Sequence, residues 1–201
     1  MSLVSRIFAV TGGASGMGAA TVRQLAKQGA AAIWIGDWNT NNFDNLTKEV
    51  HAINSKTKVY ARQLDVSKSQ AVDAWVEEIV KESGGLHGAA NLAGVPQGPP
   101  INVPAGMPTI VAQSDDDFHR IMSINLNGVF YCTRAQARAM AQMPAGSKPA
   151  IVNVASQASI YHYPAIFAYS TSKAGVAHLS VQVAKDVKPF GIRCNAVSPG
   201  K

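Results

Sequence analysis

The sequence predicts an α/β protein in which a doubly wound parallel sheet of about six strands carries helices on both faces. Short apolar runs alternate with segments of helical spacing along all 201 residues, and this alternation favours right-handed βαβ units. A glycine-rich turn follows the first apolar run. Hydrophobic residues make up 47% of the chain and charged residues 15%, which is typical of a globular protein. We therefore expect residues 1–201 to form a single domain.

The first strand and helix flank the glycine-rich turn. Residues 7–10 predict a buried strand, residues 11–18 form the turn, and residues 17–28 have helical spacing. Glycines let the backbone approach a phosphate, and a helix start offers free N–H groups. The turn lacks the Gly-Lys-Ser/Thr ending of a P-loop, so it predicts a dinucleotide pyrophosphate site and a Rossmann fold; the alternative is a turn used only for packing. The residues predicted to bind the cofactor here are Gly12, Ser15, Gly16, Met17 and Gly18.

The second predicted strand, residues 31–36, leads into Asp37 and Trp38. A carboxylate about twenty residues past such a turn can accept hydrogen bonds from an adenosine ribose, and it would repel a 2′-phosphate. No Lys or Arg follows directly, so the sequence favours NAD over NADP. The alternative for Asp37 is a turn or helix-capping residue.

The third predicted strand, residues 58–64, follows a polar helix at 39–54 and ends at Asp65 and Val66, where a carboxylate can accept from an adenine amino group. Asp65 could instead cap the next helix. Ser67 and Gln70 form a separate capping box for that helix, which would leave Asp65 available to a ligand.

The fourth predicted strand, residues 87–90, ends in small residues that let the backbone approach the cofactor ribose; the candidates are Asn91, Ala93 and Gly94. A proline-rich segment follows at 95–113 and is either a flap beside the substrate or a surface insertion. Ser114 then begins a helix that continues through Asn125 to about Met140.

The last third of the chain holds the candidate catalytic pair. A fifth strand at 150–155 delivers Ser156, a long helix at 165–188 carries Tyr169 and Lys173, and a sixth strand at 191–197 precedes Pro199 and Gly200. Side chains four residues apart share one helix face. An ammonium group close to a phenol stabilises the phenolate, which can exchange a proton with a substrate hydroxyl. A Tyr and a Lys at this spacing also occur as an ordinary surface pair.

Taken in order, these motifs resemble those of the short-chain dehydrogenase/reductase family, and the resemblance extends from Ile7 to Gly200. The matching segments are the turn at 11–18, Asp65-Val66, Asn91-Leu92-Ala93-Gly94, Asn125-Leu126-Asn127-Gly128, Ser156 thirteen residues before Tyr169, the Tyr169-x-x-x-Lys173 signature, and Pro199-Gly200. Leu92 and Ser159 depart from the family pattern.

The resemblance implies a catalytic set. Tyr169 would be the general base in oxidation and the general acid in reduction, with Lys173 holding the nicotinamide ribose. Ser156 would position the reacting oxygen of an alcohol or ketone, and Asn125 would hold a water molecule that links Lys173 to solvent.

The resemblance also implies a homodimer or homotetramer built on the helices that bear Asn125 and Tyr169. His162 and Tyr163 lie between Ser156 and Tyr169 and would line the substrate pocket; the alternative for His162 is a solvated loop residue.

Composition narrows the classes of function that remain possible. The net charge of +6 is dispersed along the chain, which does not suggest nucleic-acid binding, and no apolar run is long enough to span a membrane. Cys132 and Cys194 form no CxxC pair, so we expect inert thiols, no metal site and a cytoplasmic protein.

Two alternatives remain beside an alcohol dehydrogenase or ketone reductase. Family members continue past the Pro-Gly turn, so the chain could be a truncated cofactor-binding or subunit-partner module with weak or no activity. A nucleotide-sugar epimerase or dehydratase shares the Tyr and Lys pair.

Overall fold

A computed structural model describes residues 3–98 and 103–200. Within them, six parallel strands form one sheet in the order β3-β2-β1-β4-β5-β6. The strands are β1 (Ile7–Thr11), β2 (Ala32–Asp37), β3 (Lys58–Gln63), β4 (Gly88–Asn91), β5 (Ala150–Val154) and β6 (Arg193–Val197). This confirms the predicted doubly wound parallel sheet with its six strands. The order changes direction between β1 and β4, so the carboxyl ends of these two strands border a crevice.

Helices cover both faces of the sheet. They are α1 (Gly16–Lys27), α2 (Phe43–Ile53), α3 (Ser69–Ser83), α4 (Asp115–Met122), α5 (Gly128–Ala141) and α6 (Phe167–Asp186). One buried cluster joins β1 and β2 to α1 and α2 through residues such as Val22 and Leu46, and a larger cluster lies under α3 and α5. β2 is buried almost throughout because it lies between two helical layers, whereas β3 is partly exposed at the sheet edge.

A single π-helical turn, Ser123–Asn127, joins α4 to α5 without a break in the helical path. The predicted start of this segment is confirmed, because the Ser114 hydroxyl accepts the Asp117 N–H at 3.2 Å. The π turn itself was not predicted.

Three predicted helix starts were wrong. α2 begins at Phe43 and not at residue 39, since the Asn39 N–H is bound by Asp37 and the Asn39 side chain binds Asn41. α6 begins at Phe167 because Ala165 has a left-handed φ of 60°. α3 begins at Ser69 with no capping side chain, so the predicted capping box of Ser67 and Gln70 does not form.

The proline-rich segment is described at both of its ends. Val95 to Gly98 leave β4, and a short 3₁₀ turn, Thr109–Ala112, precedes α4. Pro99 and Pro100, which belong to the predicted proline-rich segment, lie outside the described residues, as does Lys201.

Candidate active site

The turn between β1 and α1 requires glycine for two different reasons. Gly12 has a left-handed φ of 64°, and a Cβ added to Gly18 would overlap the backbone carbonyl of Gly12. Gly16 also has a positive φ, 49°, and a Cβ placed there would meet no atom within 4 Å. The backbone at Gly16 therefore borders open space at the start of α1, where its N–H groups are free to face a ligand.

Most of the predicted cofactor residues line a cavity of about 650 Å³, which we name the turn cavity. It runs along the carboxyl ends of β1, β2 and β4. The predicted residues among its lining are Gly12, Ser15, Gly16, Met17, Gly18, Asp37, Trp38, Asp65, Val66, Ala93 and Gly94.

The predicted catalytic residues Ser156, Tyr169 and Lys173 line a second cavity of about 800 Å³, which we name the tyrosine cavity. Pro199 and Gly200 lie on its wall. The two cavities have lining residues in common, which are Met17, Leu92, Gly94 and Val95. The turn and the candidate catalytic pair therefore face adjoining parts of one cleft.

Asp37 is fixed at the end of β2 by two backbone groups. Its Oδ2 accepts the Ala14 N–H at 2.9 Å and its Oδ1 accepts the Asn39 N–H at 3.0 Å. The carboxylate thus holds the glycine-rich turn against β2 while it lines the turn cavity beside exposed Trp38.

Asp65 also lines the turn cavity, although the reasoning that left it available was wrong. Ser67, which was expected to cap α3, donates its N–H and its hydroxyl to Asp65 Oδ1 at 2.9 and 2.7 Å. These bonds form an Asx turn that orients the carboxylate after β3.

Asn91 does not line either cavity. Its side chain is buried behind the cleft and joins a network of amides, in which it donates to Gln136 at 2.9 Å and to Asn153 at 2.8 Å. Gln136 Nε2 donates in turn to Asn91 Oδ1 at 2.8 Å. Asn153 also accepts from the Thr133 hydroxyl and donates to the Ser180 hydroxyl. This side chain links β4, β5 and α5 underneath the site.

Lys173 is the buried cation of the site, with 5% of its surface exposed. Its Nζ donates to the Val154 carbonyl at 2.8 Å and lies 5.8 Å from the centre of the Tyr169 ring. Burial lowers the pKa of Lys173 to about 8, because the charged form loses its hydration. Gly94 lies against this group, since a Cβ at that position would be 3.2 Å from Asn125 Oδ1, a tight contact, and 3.5 Å from Nζ, an ordinary one.

Ser156 lies just beyond the end of β5 and is held by its own turn. Its hydroxyl oxygen accepts the Ala158 N–H at 3.1 Å, and the Ser159 hydroxyl donates to its carbonyl at 2.5 Å. Ser159, where the family often has glycine, thus tightens the loop after Ser156.

Asn125 lies in the π turn and is fully buried. Its Oδ1 accepts the Val95 N–H at 2.8 Å, and its Nδ2 donates to the Val95 carbonyl at 3.0 Å and to the Ser172 hydroxyl at 3.3 Å. Its side chain therefore clamps the segment after β4 to the start of α6. A π turn also displaces main-chain hydrogen bonds from the α-helical pattern, often at a functional site.

Several lining residues were missed by sequence reasoning. Pro164, Ala165 and Ile166 line the tyrosine cavity, whereas His162 and Tyr163, the two candidates in this loop, are not among its lining residues. The Tyr163 hydroxyl instead donates to Gln157 Oε1 at 3.3 Å. The left-handed Ala165, which turns the chain here, has no sequence signal because alanine rarely adopts this conformation.

Gln97 and Arg120 were missed as well. Gln97 lines the tyrosine cavity and Arg120 lines the turn cavity. Neither belongs to a motif, and their places depend on how the segment after β4 packs on α4.

Residues 3–98 and 103–200 contain no group of three or more His, Cys, Asp or Glu side chains arranged to hold a metal ion. None of the helices in these ranges has both the length and the apolar character that crossing a membrane requires.

The sequence of this chain is similar to those of known proteins. The family model described as short chain dehydrogenase matches residues 6–201. Chanoclavine-I dehydrogenase of Arthroderma otae is 50% identical over 204 residues, covering 99% of this chain and 75% of that protein. The chanoclavine-I dehydrogenase of Penicillium roqueforti is 47% identical over 199 residues, with 99% and 75% covered.

Solved structures agree in fold. An NAD⁺-bound xylitol dehydrogenase is similar with a TM-score of 0.87 and 30% identity, covering 100% of this chain and 72% of that one. Levodione reductase is similar with a TM-score of 0.88 and 29% identity, covering 98% and 72%. The chain therefore belongs to the short-chain dehydrogenase family, and it is an oxidoreductase acting on CH–OH groups.

Proposed function

We propose that this chain is an NAD-dependent dehydrogenase that oxidises chanoclavine-I, or an alcohol closely similar to it, with Tyr169 as the general base. The observation that carries the proposal is that Ser156, Tyr169 and Lys173 line one cavity, which adjoins the cavity of the glycine-rich turn. The substrate is proposed from the relatives named chanoclavine-I dehydrogenase, at 47–50% identity.

A nicotinamide dinucleotide fits the turn cavity. The glycines at 12 and 18 bring the backbone too close for any side chain, and Gly16 opens onto free space, as a bound pyrophosphate needs. We propose that this turn would hold the pyrophosphate, with the adenosine end beside Asp37, Trp38, Asp65 and Val66. The nicotinamide end would lie near the wall that both cavities share. When bound, the cofactor would accept the hydride.

The residues of the tyrosine cavity would accept the proton that the alcohol loses. Tyr169 would take the hydroxyl proton of the alcohol as the substrate carbon loses its hydride, and Ser156 would hold the same oxygen by a hydrogen bond. The Lys173 ammonium, buried and close to the Tyr169 ring, would stabilise the phenolate. Asn125 would keep Val95 and α6 in register around this group.

The walls of the tyrosine cavity suit an apolar alcohol. The lining includes Val95, Pro96, Val154, Pro164 and Ile166, and the described lining includes no carboxylate. An apolar wall with a few convergent polar groups favours a hydrophobic body that is oriented by one hydroxyl.

Asp37 supports NAD over NADP. A fixed carboxylate in the turn cavity accepts hydrogen bonds from ribose hydroxyls and repels a 2′-phosphate.

We also propose a single-domain subunit that assembles as a homodimer or homotetramer through α5 and α6. Phe130 on α5 and Val181 on α6 are 42% and 53% exposed, which leaves apolar surface on both helices. Cys132 and Cys194 are buried, unpaired thiols, as suits the reducing cytoplasm.

The test is turnover of chanoclavine-I with NAD, followed by NADH absorbance, for the wild-type protein and for Tyr169→Phe. We expect the variant to lose activity by roughly 10²–10⁴-fold, because the proton acceptor is removed, and to bind NADH nearly as well. Tyr163→Phe is the matched control, since Tyr163 is not among the residues that line either cavity.

No turnover by the wild-type protein would exclude this substrate. If Tyr169→Phe retained turnover, Tyr169 would not be the base. A wild-type protein that bound NADH but turned over no alcohol would instead favour a cofactor-binding module.

A further inference from the structure

Gln97 connects three parts of the site that are far apart in sequence. It belongs to the segment that leaves β4, it lines the tyrosine cavity, and its amide bonds both to the start of α6 and to α4.

The first contact satisfies a helix terminus. The first N–H groups of α6 have no partner within the helix, and Ile166, which precedes it, has no side chain able to cap it. Gln97 Oε1 accepts the Tyr169 N–H at 3.2 Å, although the two residues are 72 positions apart. Gln97 thus caps the catalytic helix at the residue that carries the candidate base.

The second contact fixes the direction of the Gln97 amide. Its Nε2 donates to Asp117 Oδ2 at 3.0 Å and to Gln113 Oε1 at 2.9 Å. A carboxylate only accepts, so the NH₂ group must face Asp117 and the carbonyl oxygen must face the Tyr169 N–H. The Gln97 amide can therefore bond to both Asp117 and the Tyr169 N–H in only one orientation.

Asp117 is itself held in place on α4. Its Oδ1 accepts from Arg120 Nη2 at 2.7 Å, and its Oδ2 also accepts the Gly98 N–H at 3.4 Å. The hydrogen bond from Arg120 lowers the pKa of Asp117, which keeps the carboxylate charged. Arg120 lines the turn cavity, so this chain of contacts extends from one cavity to the other.

We propose that Gln97, held by Asp117, is a positioning residue that sets the place of Tyr169 against the wall of the substrate cavity. The inference rests on the proposed function, in which Tyr169 is the base. Small displacements of a reacting group cost rate steeply, so a cap that fixes the first turn of α6 affects the chemical step.

A pair of substitutions tests this role through rescue. Gln97→Glu keeps an oxygen for the Tyr169 N–H but places a second carboxylate against Asp117. Adding Asp117→Asn restores a donor toward residue 97. We expect kcat with chanoclavine-I and NAD to fall roughly ten- to hundredfold in the single variant and to recover mostly in the double variant, with the KM for NAD nearly unchanged.

A purely structural role would lower the melting temperature of Gln97→Glu but leave kcat of the folded single variant unchanged. Failure of Asp117→Asn to rescue Gln97→Glu, with both proteins folded, would overturn the proposal.

A second measurement does not depend on turnover. Hydrogen–deuterium exchange at the Tyr169 amide should be at least about tenfold faster in Gln97→Leu than in the wild-type protein, because its acceptor is gone. Gln70→Leu, the same change at an exposed position of α3, is the control and should leave this exchange unchanged.

Unchanged exchange in Gln97→Leu would overturn the inference even if the enzyme is active. If Gln97→Leu exchanges faster but the wild-type protein fails to oxidise chanoclavine-I, the cap is upheld and only the proposed function fails.

Discussion

Asp37 shows how one side chain can serve both the fold and a ligand. Both of its oxygens accept backbone N–H groups, one of them from Ala14 in the glycine-rich turn. The sequence predicted a ribose ligand or a turn residue as alternatives, and the structure makes Asp37 a turn residue that lines the turn cavity. Under the proposed function, ligand selection and the shape of the turn are therefore coupled at Asp37.

Asp37→Arg should reverse cofactor preference. Losing a charge-assisted acceptor weakens NADH binding by roughly ten- to hundredfold, and the new guanidinium favours the 2′-phosphate of NADPH. The measurement is the rise in melting temperature with each cofactor, since a ligand at 100 times its Kd stabilises by about 2.7 kcal/mol.

Asp37→Asn is the matched control, because it retains an oxygen acceptor without the charge. It should weaken NADH binding without selecting NADPH. An unchanged ratio of the two shifts in Asp37→Arg would place the ribose elsewhere.

Elements with strong local signals were predictable, and those decided by tertiary contacts were not. Gly84 ends α3 with a left-handed φ of 79°, as glycine after an apolar period predicts. Ser67 was misplaced because its hydroxyl had two possible partners, the start of α3 and Asp65, and only the fold decides between them. The role of Gln97 was missed for the same reason: its partners lie 16 to 72 residues away.

At the corner between β1 and α1, Gly18→Ala should weaken NADH binding by about tenfold or more. The added methyl group would overlap the backbone of Gly12, so the turn must shift away from its present geometry. The measurement is the Kd for NADH by calorimetry.

The control is Ala20→Gly, an exposed position of the same helix. It destabilises α1 by up to about 1 kcal/mol without touching the turn, so its Kd should stay near that of the wild-type protein. Equal effects of the two variants would mean that helix stability, and not the turn, controls binding.

On the scale of the whole molecule, the sheet order brings the site together. The carboxyl ends of β1, β4 and β5 deliver the turn, the segment of Gln97 and Ser156 to one cleft, and α6 adds the candidate catalytic pair. The alternation of strands and helices was sufficient to predict a parallel sheet with helices on both faces, but it did not predict the order of the strands. The burial of Lys173 beneath the cleft was not predicted, because it depends on how the completed fold removes water from the side chain.

The burial of Lys173 can be measured through the dependence of the free energy of unfolding on pH. Folded Lys173 keeps its proton only below about pH 8, whereas in the unfolded chain the pKa returns to its usual 10.5. Between these values the unfolded chain binds more protons, so the free energy of unfolding rises with pH, by up to about 3 kcal/mol. Lys173→Met lacks this contribution, so the wild-type protein should gain stability relative to the variant across that window in urea denaturation.

The two buried thiols act in the opposite direction. Burial raises the pKa of Cys132 to about 12 and that of Cys194 to about 11, which favours unfolding at alkaline pH. Both thiols are present in wild type and variant, so their effect cancels in the difference. A difference that stays constant with pH would mean that Lys173 is not desolvated.

The buried amides of Asn91, Gln136 and Asn153 also constrain how this protein can change over generations. Each side chain satisfies another, so replacing one by an apolar residue leaves a buried partner unmatched, at about 1–3 kcal/mol for each orphaned group. A substitution at any one of these positions therefore removes a large part of the small free energy of unfolding that a protein has. A lineage is therefore expected to keep the three positions together or to exchange them together, while the walls of the tyrosine cavity remain free to diverge toward other alcohols.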